Sequence, residues 1–273
     1  MAARMKDVEH VLTFGDDHSP GADLAWEWVC SQTWDDWSVD VVSVTDPAPE
    51  LASLFTHEPL HEFTPDTPRT APPSAQLAAV RHLTTAFDPR IVLCEKTDGD
   101  LLVIGARGQG LLKSMLLGST AEWLMRCPTT PLVIAREGSP VHRVLVCVDG
   151  SSHADAAVSA LAAMPWIAGC DIEVLAVSEG DDDARRAARL SAERLSAIGA
   201  TASARVLEPD PVILTINPRD RILEELRATA PDLVVLGTSG RTGWSRLMVG
   251  SVAGAVAHAA ECSVMLARDL SVD

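Results

Sequence analysis

Basic residues are scarce in this chain of 273 residues: 22 lysines and arginines face 38 aspartates and glutamates, for a formal net charge of −16. The deficit holds in both halves, with 10 basic against 20 acidic residues up to Ser139 and 12 against 18 beyond it. A nucleic-acid backbone is held by clustered Lys and Arg, so an extended nucleic-acid surface is not expected. Long apolar runs are missing too. The longest uncharged stretch, Ala156 to Cys170, contains Pro165 and falls short of the roughly 20 residues that cross a bilayer. Near the N-terminus Arg4, Lys6, Asp7 and Glu9 precede only Val11–Gly15, too short for the apolar run of about 7–15 residues in a secretory signal, so a cytoplasmic location is expected. Paired cysteines are absent: Cys30, Cys94, Cys127, Cys147, Cys170 and Cys262 form no C-x-x-C and read as reduced core thiols.

What is present is a repeat. His10-Val-Leu-Thr-Phe-Gly-Asp16 lies against Arg143-Val-Leu-Val-Cys-Val-Asp149, and Val39–Val44 against Ile172–Val177, both at an offset of 133 residues. Asp100-Leu-Leu-Val-Ile-Gly105 parallels Asp232-Leu-Val-Val-Leu-Gly237, each with the unbroken apolar run of a strand buried on both faces. Pro131–Arg136 and Ser263–Arg268 close the two halves. Helical stretches are read at Ala22–Ser31, Ser74–Phe87, Ala154–Ala163, Asp181–Ile198, Asp220–Ala228 and after Gly118 and Gly250. Alternating strands and helices predict two α/β domains, 1–138 and 139–273, joined through Glu137–His142. Each is expected to be a doubly wound parallel sheet, flavodoxin-like or Rossmann-like, with strand order 2-1-3-4-5. Pairing of the two last strands would satisfy both sheet edges and make the chain an intramolecular pseudo-dimer.

The halves are unequal. The first carries a Pro-rich connection, Pro47 to Pro73, and passes from Ile91-Val-Leu-Cys94 to Asp100 with no room for a helix. It is therefore expected to lack the helix before its fourth strand. The second has Asp220–Ala228 at that point and an extra apolar run, Val212–Ile216, that fits no element.

Glycine-rich loops follow the two strongest strands. One reads Gly105-Ala-Arg-Gly108, nine residues, Gly118-Ser119-Thr120; the other Gly237-Thr-Ser-Gly240, nine residues, Gly250-Ser251-Val252. A glycine after a buried strand lets a ligand approach the backbone, and a Gly-Ser step opening a helix offers unpaired N–H donors at the positive end of the dipole. Such an anion site needs no lysine. Over nearly the whole chain, twice, these residues resemble the universal stress protein family in its ATP-binding branch. The resemblance implies that Asp16 and Asp149 contact adenine and that Val44 and Val177 supply backbone contacts. It also implies that Gly105, Gly108, Gly118, Ser119 and Thr120, and Gly237, Gly240, Gly250, Ser251 and Val252, hold ribose and phosphates, with Mg²⁺ accompanying them. His18 stands where the second half has Ser151, so the second site is expected to be the sounder one.

The function implied is a stress sensor or regulator, with no catalytic residue and at most weak ATPase activity. Two other classes stay open: a nucleotide-independent interaction module built on the Trp-rich first half (Trp26, Trp28, Trp34, Trp37, Trp123), and a slow ATP-hydrolysing enzyme. A further homodimer of the chain is allowed. His57-Glu-Pro-Leu-His61 matches H-E-x-x-H, but Pro59 would interrupt the helix that a zinc site needs. The turn Asp149-Gly-Ser-Ser-His153 places Ser and His too close in sequence to meet as nucleophile and base. Asp181-Asp-Asp183 reads as the acidic first turn of a helix.

Overall fold

The computed structural model describes residues 10–45, 60–95, 99–108, 117–126, 129–178, 182–208, 217–239 and 249–271. In the first half the chain runs β1 (His10–Gly15), α1 (Pro20–Ser31), β2 (Trp37–Thr45), β3 (His61–Glu62), β4 (Ala79–Ala86), α2 (Pro89–Glu95), β5 (Leu101–Gly105), α3 (Ser119–Arg126) and β6 (Leu132–Ala135). The second half follows as β7 (Arg143–Val148), α4 (Ser152–Ala162), β8 (Asp171–Val177), α5 (Asp183–Ala197), β9 (Thr201–Leu207), α6 (Pro218–Thr229), β10 (Leu233–Gly237), α7 (Ser251–Ala259) and β11 (Ser263–Ala267). The helix starts are written in the sequence. Ser19 and Ser151 cap α1 and α4 by accepting the N–H groups of Ala22 and Ala154, and Pro20 takes the first turn of α1.

The strands of the described residues join one 11-stranded sheet in the order β3-β4-β2-β1-β5-β6-β11-β10-β7-β8-β9. Within each half the five long strands are parallel, and their order is 3-2-1-4-5, which corrects the expected 2-1-3-4-5. Burial explains the order. β5 and β10 are apolar throughout and must lie inside the sheet, whereas β4 and β9 interleave polar residues and suit its outer flanks, β9 with much of its length exposed. β9 itself is a strand that the sequence reading did not name.

Two further expectations fail in the first half. Ser74–Phe87 is not a helix: a single 3₁₀ turn at Pro73–Ala75 ends with Gln76 in the left-handed region (φ 54°), and β4 then pairs with β2 from Ser38 to Thr45. The backbone bonds offered by the open edge of β2 override the local helical preference. The helix before the fourth strand is present as α2. The Asp88 carboxylate accepts the Arg90 N–H (2.9 Å) and Pro89 takes the first helical position, so Val92, Leu93 and Cys94 become a helix's buried face. The run Val212–Ile216 lies outside the described residues.

The halves meet where β6 and β11 pair antiparallel, Leu132 against Leu266, Val133 against Met265 and Ile134 against Val264, as the edge argument required. Apolar clusters cover both faces of the sheet and cross this seam: Val133 and Met265 belong to one, Ile134 and Leu266 to the other. The first cluster includes Trp28, Trp34 and Trp37, with Trp166 of the second half edge-on to Trp28 and Trp34. Helix ends cross as well. The Arg136 guanidinium donates to the carbonyls of Ala257 and Ala260 (3.1 Å) at the C-terminal end of α7, and His258 of α7 pairs with Glu122 of α3 at 2.9 Å. Burial lowers the pKa of Arg136, so its bonds to those carbonyls compensate a real desolvation cost.

Arg136→Ala leaves the last carbonyls of α7 without this donor. Charged hydrogen bonds contribute about 1.5–3 kcal/mol each, so the expected loss is about 3 kcal/mol, read as a lower urea midpoint.

Candidate functional site

In both halves the chain leaves the central strand to one side and returns on the other. β1 therefore sits between β2 and β5, and β7 between β8 and β10. A crevice opens at such a switch point, beyond the carboxyl ends of the two strands. Asp17 and Asp149 open the turns after β1 and β7, each accepting the N–H of the cap serine, and Gly105 and Gly237 end β5 and β10 on the crevice's other side. The loops then return in the same way: Gly118 N–H donates to the Ala106 carbonyl at 2.8 Å, and Gly250 N–H to the Thr238 carbonyl at 2.7 Å. The first intrahelical bonds, Glu122 to Gly118 and Gly254 to Gly250 at 2.9 Å, leave the N–H groups of residues 119–121 and 251–253 ahead of the helical ladder. Ser119, Thr120, Ser251 and Val252 thus stand at the crevice edge of their halves, with Val44 and Val177 half-buried at the ends of β2 and β8. Gly240 lies outside the described residues.

The glycines do different jobs. A Cβ on Gly105 would come within 2.5 Å of the Gly21 backbone, and one on Gly237 within 2.6 Å of the His153 backbone. These two residues are small because α1 and α4 start directly against the ends of β5 and β10, a packing demand that holds without any ligand. A Cβ on Gly118 would meet nothing nearer than 3.4 Å. At Gly108 the neighbour is a carboxylate, with Asp17 Oδ2 at 2.3 Å from such a Cβ.

The two aspartates part company. The Asp16 side chain is 1% exposed, and Arg69 grips it from both sides, Nε to Oδ2 and Nη2 to Oδ1 at 2.8 Å, while Nη1 reaches Asp23 at 2.7 Å. The His18 N–H adds a bond to Oδ1 at 3.0 Å. Burial pushes the Asp16 carboxyl up, but the Arg69 and His18 bonds, with the charge of Arg69, outweigh it and hold the group below its ordinary value. Asp149 is only half-buried and accepts the Ser151 N–H at 3.0 Å. The strand register accounts for this: Val11 and Arg143 make the same bonds to Asp100 and Asp232, which puts Asp16 in the place of Val148, Asp17 in that of Asp149, and His18 (φ 56°) in that of Gly150 (φ 76°), with Ser19 and Ser151 as the caps; the Ser19 N–H donates to Asp17 at 3.1 Å as the Ser151 N–H does to Asp149, so Asp17 and not Asp16 is the counterpart of Asp149. This replaces the expected match of His18 with Ser151. Arg69 escaped the sequence reading. Its signal was there: it is the first basic residue after Lys6, in a strongly acidic stretch.

The decoys resolve in part. His61 lies in extended β3, while His57, Glu58 and Pro59 fall outside the described residues, as do Asp181 and Cys127. Ser151 spends its hydroxyl on the cap, and the His153 Nδ1 accepts the Asp269 N–H at 2.9 Å. Cys94, Cys147, Cys170 and Cys262 are buried free thiols, Cys147 pushed up to about 12 by burial. Among the described residues no cluster of His, Cys, Asp and Glu is suited to a metal ion, and no helix is long and apolar enough to cross a membrane.

Known proteins show the same duplication. A model of the universal stress protein family matches residues 10–136 and again residues 140–268. The chain belongs to that family. A universal stress protein of Mycobacterium tuberculosis is 31% identical over 223 residues, covering 74% of this chain and 71% of its own. Another from the same organism is 30% identical over 193 residues; there the chain spans 62% of the relative's length. A universal stress protein structure from Archaeoglobus fulgidus superposes with a TM-score of 0.63 at 17% identity, covering 94% of this chain and 98% of that one, a likeness of fold.

Within this universal stress protein, Gly105→Ala is expected to cost about 3 kcal/mol of stability through overpacking, whereas Gly118→Ala costs about 1 kcal/mol or less; chemical denaturation of the two variants separates packing glycines from the rest. Asp16→Asn tests the buried ion pair. Because the folded carboxyl is held below its unfolded value of about 3.9, its stabilisation is complete above that pH and fades as the pH falls through the folded value. The wild type should melt well above Asp16→Asn at pH 7, and the gap in melting temperature should close on acidification below about pH 4.

Proposed function

We propose that this chain binds ATP, accompanied by Mg²⁺, in the crevice of its second half, and serves as a cytoplasmic sensor or regulator in the stress response. The observation that carries this reading is convergence: Asp149, the end of β10 and the first turn of α7 reach the same edge of the sheet from three separate elements. Asp149 would accept from the adenine and the backbone at Val177 would border it. The N–H groups of Ser251 and Val252, with the Ser251 hydroxyl, would hold phosphate at the positive end of α7. Gly237 and Gly250 would border the ribose and phosphates, and Mg²⁺, when bound, would neutralise phosphate charge in a chain of net −16.

Turnover is not part of the proposal. The two candidate groups for general-base chemistry are engaged, His153 with the Asp269 N–H and Asp149 with its own turn. At most, slow hydrolysis would accompany binding.

Calorimetric titration of the full chain with Mg-ATP should show saturable binding, and acid extraction of freshly purified protein should release adenine nucleotide. Gly250→Val should weaken binding at least tenfold, about 1.4 kcal/mol. A chain that releases no nucleotide and gains no thermal stability with Mg-ATP would refute the reading in favour of a nucleotide-independent interaction module.

A further inference from the structure

We propose that Arg219 reads the outer phosphates of the nucleotide and so sets the second half's preference for a triphosphate over a monophosphate; this rests on the nucleotide reading above. Arg219 stands in the first turn of α6, and α6 and α7 lead into β10 and β11, two parallel neighbours. Both helices therefore begin at the carboxyl edge of the sheet, the edge on which the crevice opens. Between them lies a cavity of about 380 Å³ lined by Arg219, Leu223, Ser251, Ala255, His258 and Ala259. Arg219 and Ser251 hold its crevice end, since each lies in the first turn of its helix. His258, at the other end of α7, is engaged with Glu122 at 2.9 Å, so Arg219 is the cation that this cavity offers to a ligand.

The first half holds the same arginine in a spent form. Asp88-Pro89-Arg90 and Asn217-Pro218-Arg219 start α2 and α6 alike: the residue before the proline accepts the arginine N–H through its side chain, at 2.9 Å in one and 3.2 Å in the other. Its carbonyl accepts the N–H groups three and four positions on, those of Ile91 and Val92 in α2 and of Asp220 and Arg221 in α6. The two caps differ by one group. The Asp88 carboxylate also takes the Arg90 guanidinium, through Nε at 2.9 Å and through Nη2, so the charge of Arg90 is neutralised by its own cap. Asn217 is an uncharged amide and makes no such claim on Arg219. The carboxylate that Arg219 meets is Asp220, at 4.0 Å, with the two side chains 52% and 64% exposed.

So long and exposed a pair contributes little, and a phosphate displaces it at small cost. A guanidinium bonds two phosphate oxygens at once and stays charged at any physiological pH. The N–H groups that open α7 hold one phosphate; Arg219, across the cavity on the neighbouring helix, meets those beyond it. The exchange of Asp for Asn at one cap thus releases a cation at the second half's crevice that the first half keeps neutralised.

Calorimetric titration of the full chain with Mg-ATP and, separately, with AMP tests this. Arg219→Ala, with its fold checked by circular dichroism, should weaken Mg-ATP binding about tenfold, the loss of one charged hydrogen bond, and leave AMP binding unchanged. Asn217→Asp gives α6 the carboxylate that Asp88 gives α2. It should cost Mg-ATP binding a similar factor in the wild type and far less in an Arg219→Ala background, because the two substitutions act on one interaction. Equal losses for Mg-ATP and AMP in Arg219→Ala, or no loss for either, would overturn the role of Arg219, while binding of Mg-ATP by the wild type would leave the nucleotide reading standing. A wild type that binds neither overturns both proposals together. If Arg219→Ala does not fold, Asn217→Asp decides alone: a lowered ratio of Mg-ATP to AMP affinity supports the role, and an unchanged ratio refutes it.

Discussion

A parallel sheet that stops at its last strand leaves a row of unpaired N–H and C=O groups, and a chain with two such sheets has two such rows. β6 and β11 answer one with the other. Everything else about the arrangement of the halves follows from that pairing. Because it is antiparallel, the carboxyl ends of the strands face opposite edges of the continuous sheet, so the two crevices point away from each other. Because the paired strands are apolar on both faces, the cores of the halves merge across the seam. The helices nearest the seam are then close enough for Arg136 of one half to cap α7 of the other. The second half's crevice helix is thus anchored at one end by the first half, and only its N-terminus is left for a ligand.

Much of this was legible in the residues. The repeat offset located both halves, the unbroken apolar runs at Leu101–Ile104 and Leu233–Leu236 marked the central strands, and the edge argument placed the seam. Strand order was not legible, because alternation of elements is the same for 2-1-3-4-5 and 3-2-1-4-5; the difference lies in how much polar surface the third strand carries. The first half's third strand was read as a helix since Ser74–Phe87 is rich in residues that suit either state, and only the open edge of β2 decides between them. Ile91–Cys94 failed for the opposite reason. Four apolar residues fit a strand or one face of a helix, and the start signal Asp88-Pro89 was the feature that separated the two.

The candidate site was legible as a pair and not as a contrast. Spacing identified the two glycine loops as equivalents but matched Asp16 to Asp149, where the strand register matches Asp17. It could not distinguish a glycine needed for helix packing, as at Gly105 and Gly237, from one that leaves room, as at Gly118. Nor could it bring Arg69 to Asp16, since the two are separated by 53 positions and the contact depends on the path of the segment leading into Pro73–Ala75.

The asymmetry of the halves at Asp16 has a simple physical root. A carboxylate removed from water must be paired or lose its charge, because burying it alone costs far more than a fold can spare. Asp16 is nearly inaccessible, so the first half needs a resident cation beside it, and in a stretch almost devoid of lysine and arginine a single residue supplies one. At the matching place in the second half stands Val148, buried and apolar. One strand-end position is therefore met in two ways: the first half buries a carboxylate there and pairs it with an arginine from a neighbouring segment, and the second half fills it with the apolar Val148, which needs no partner.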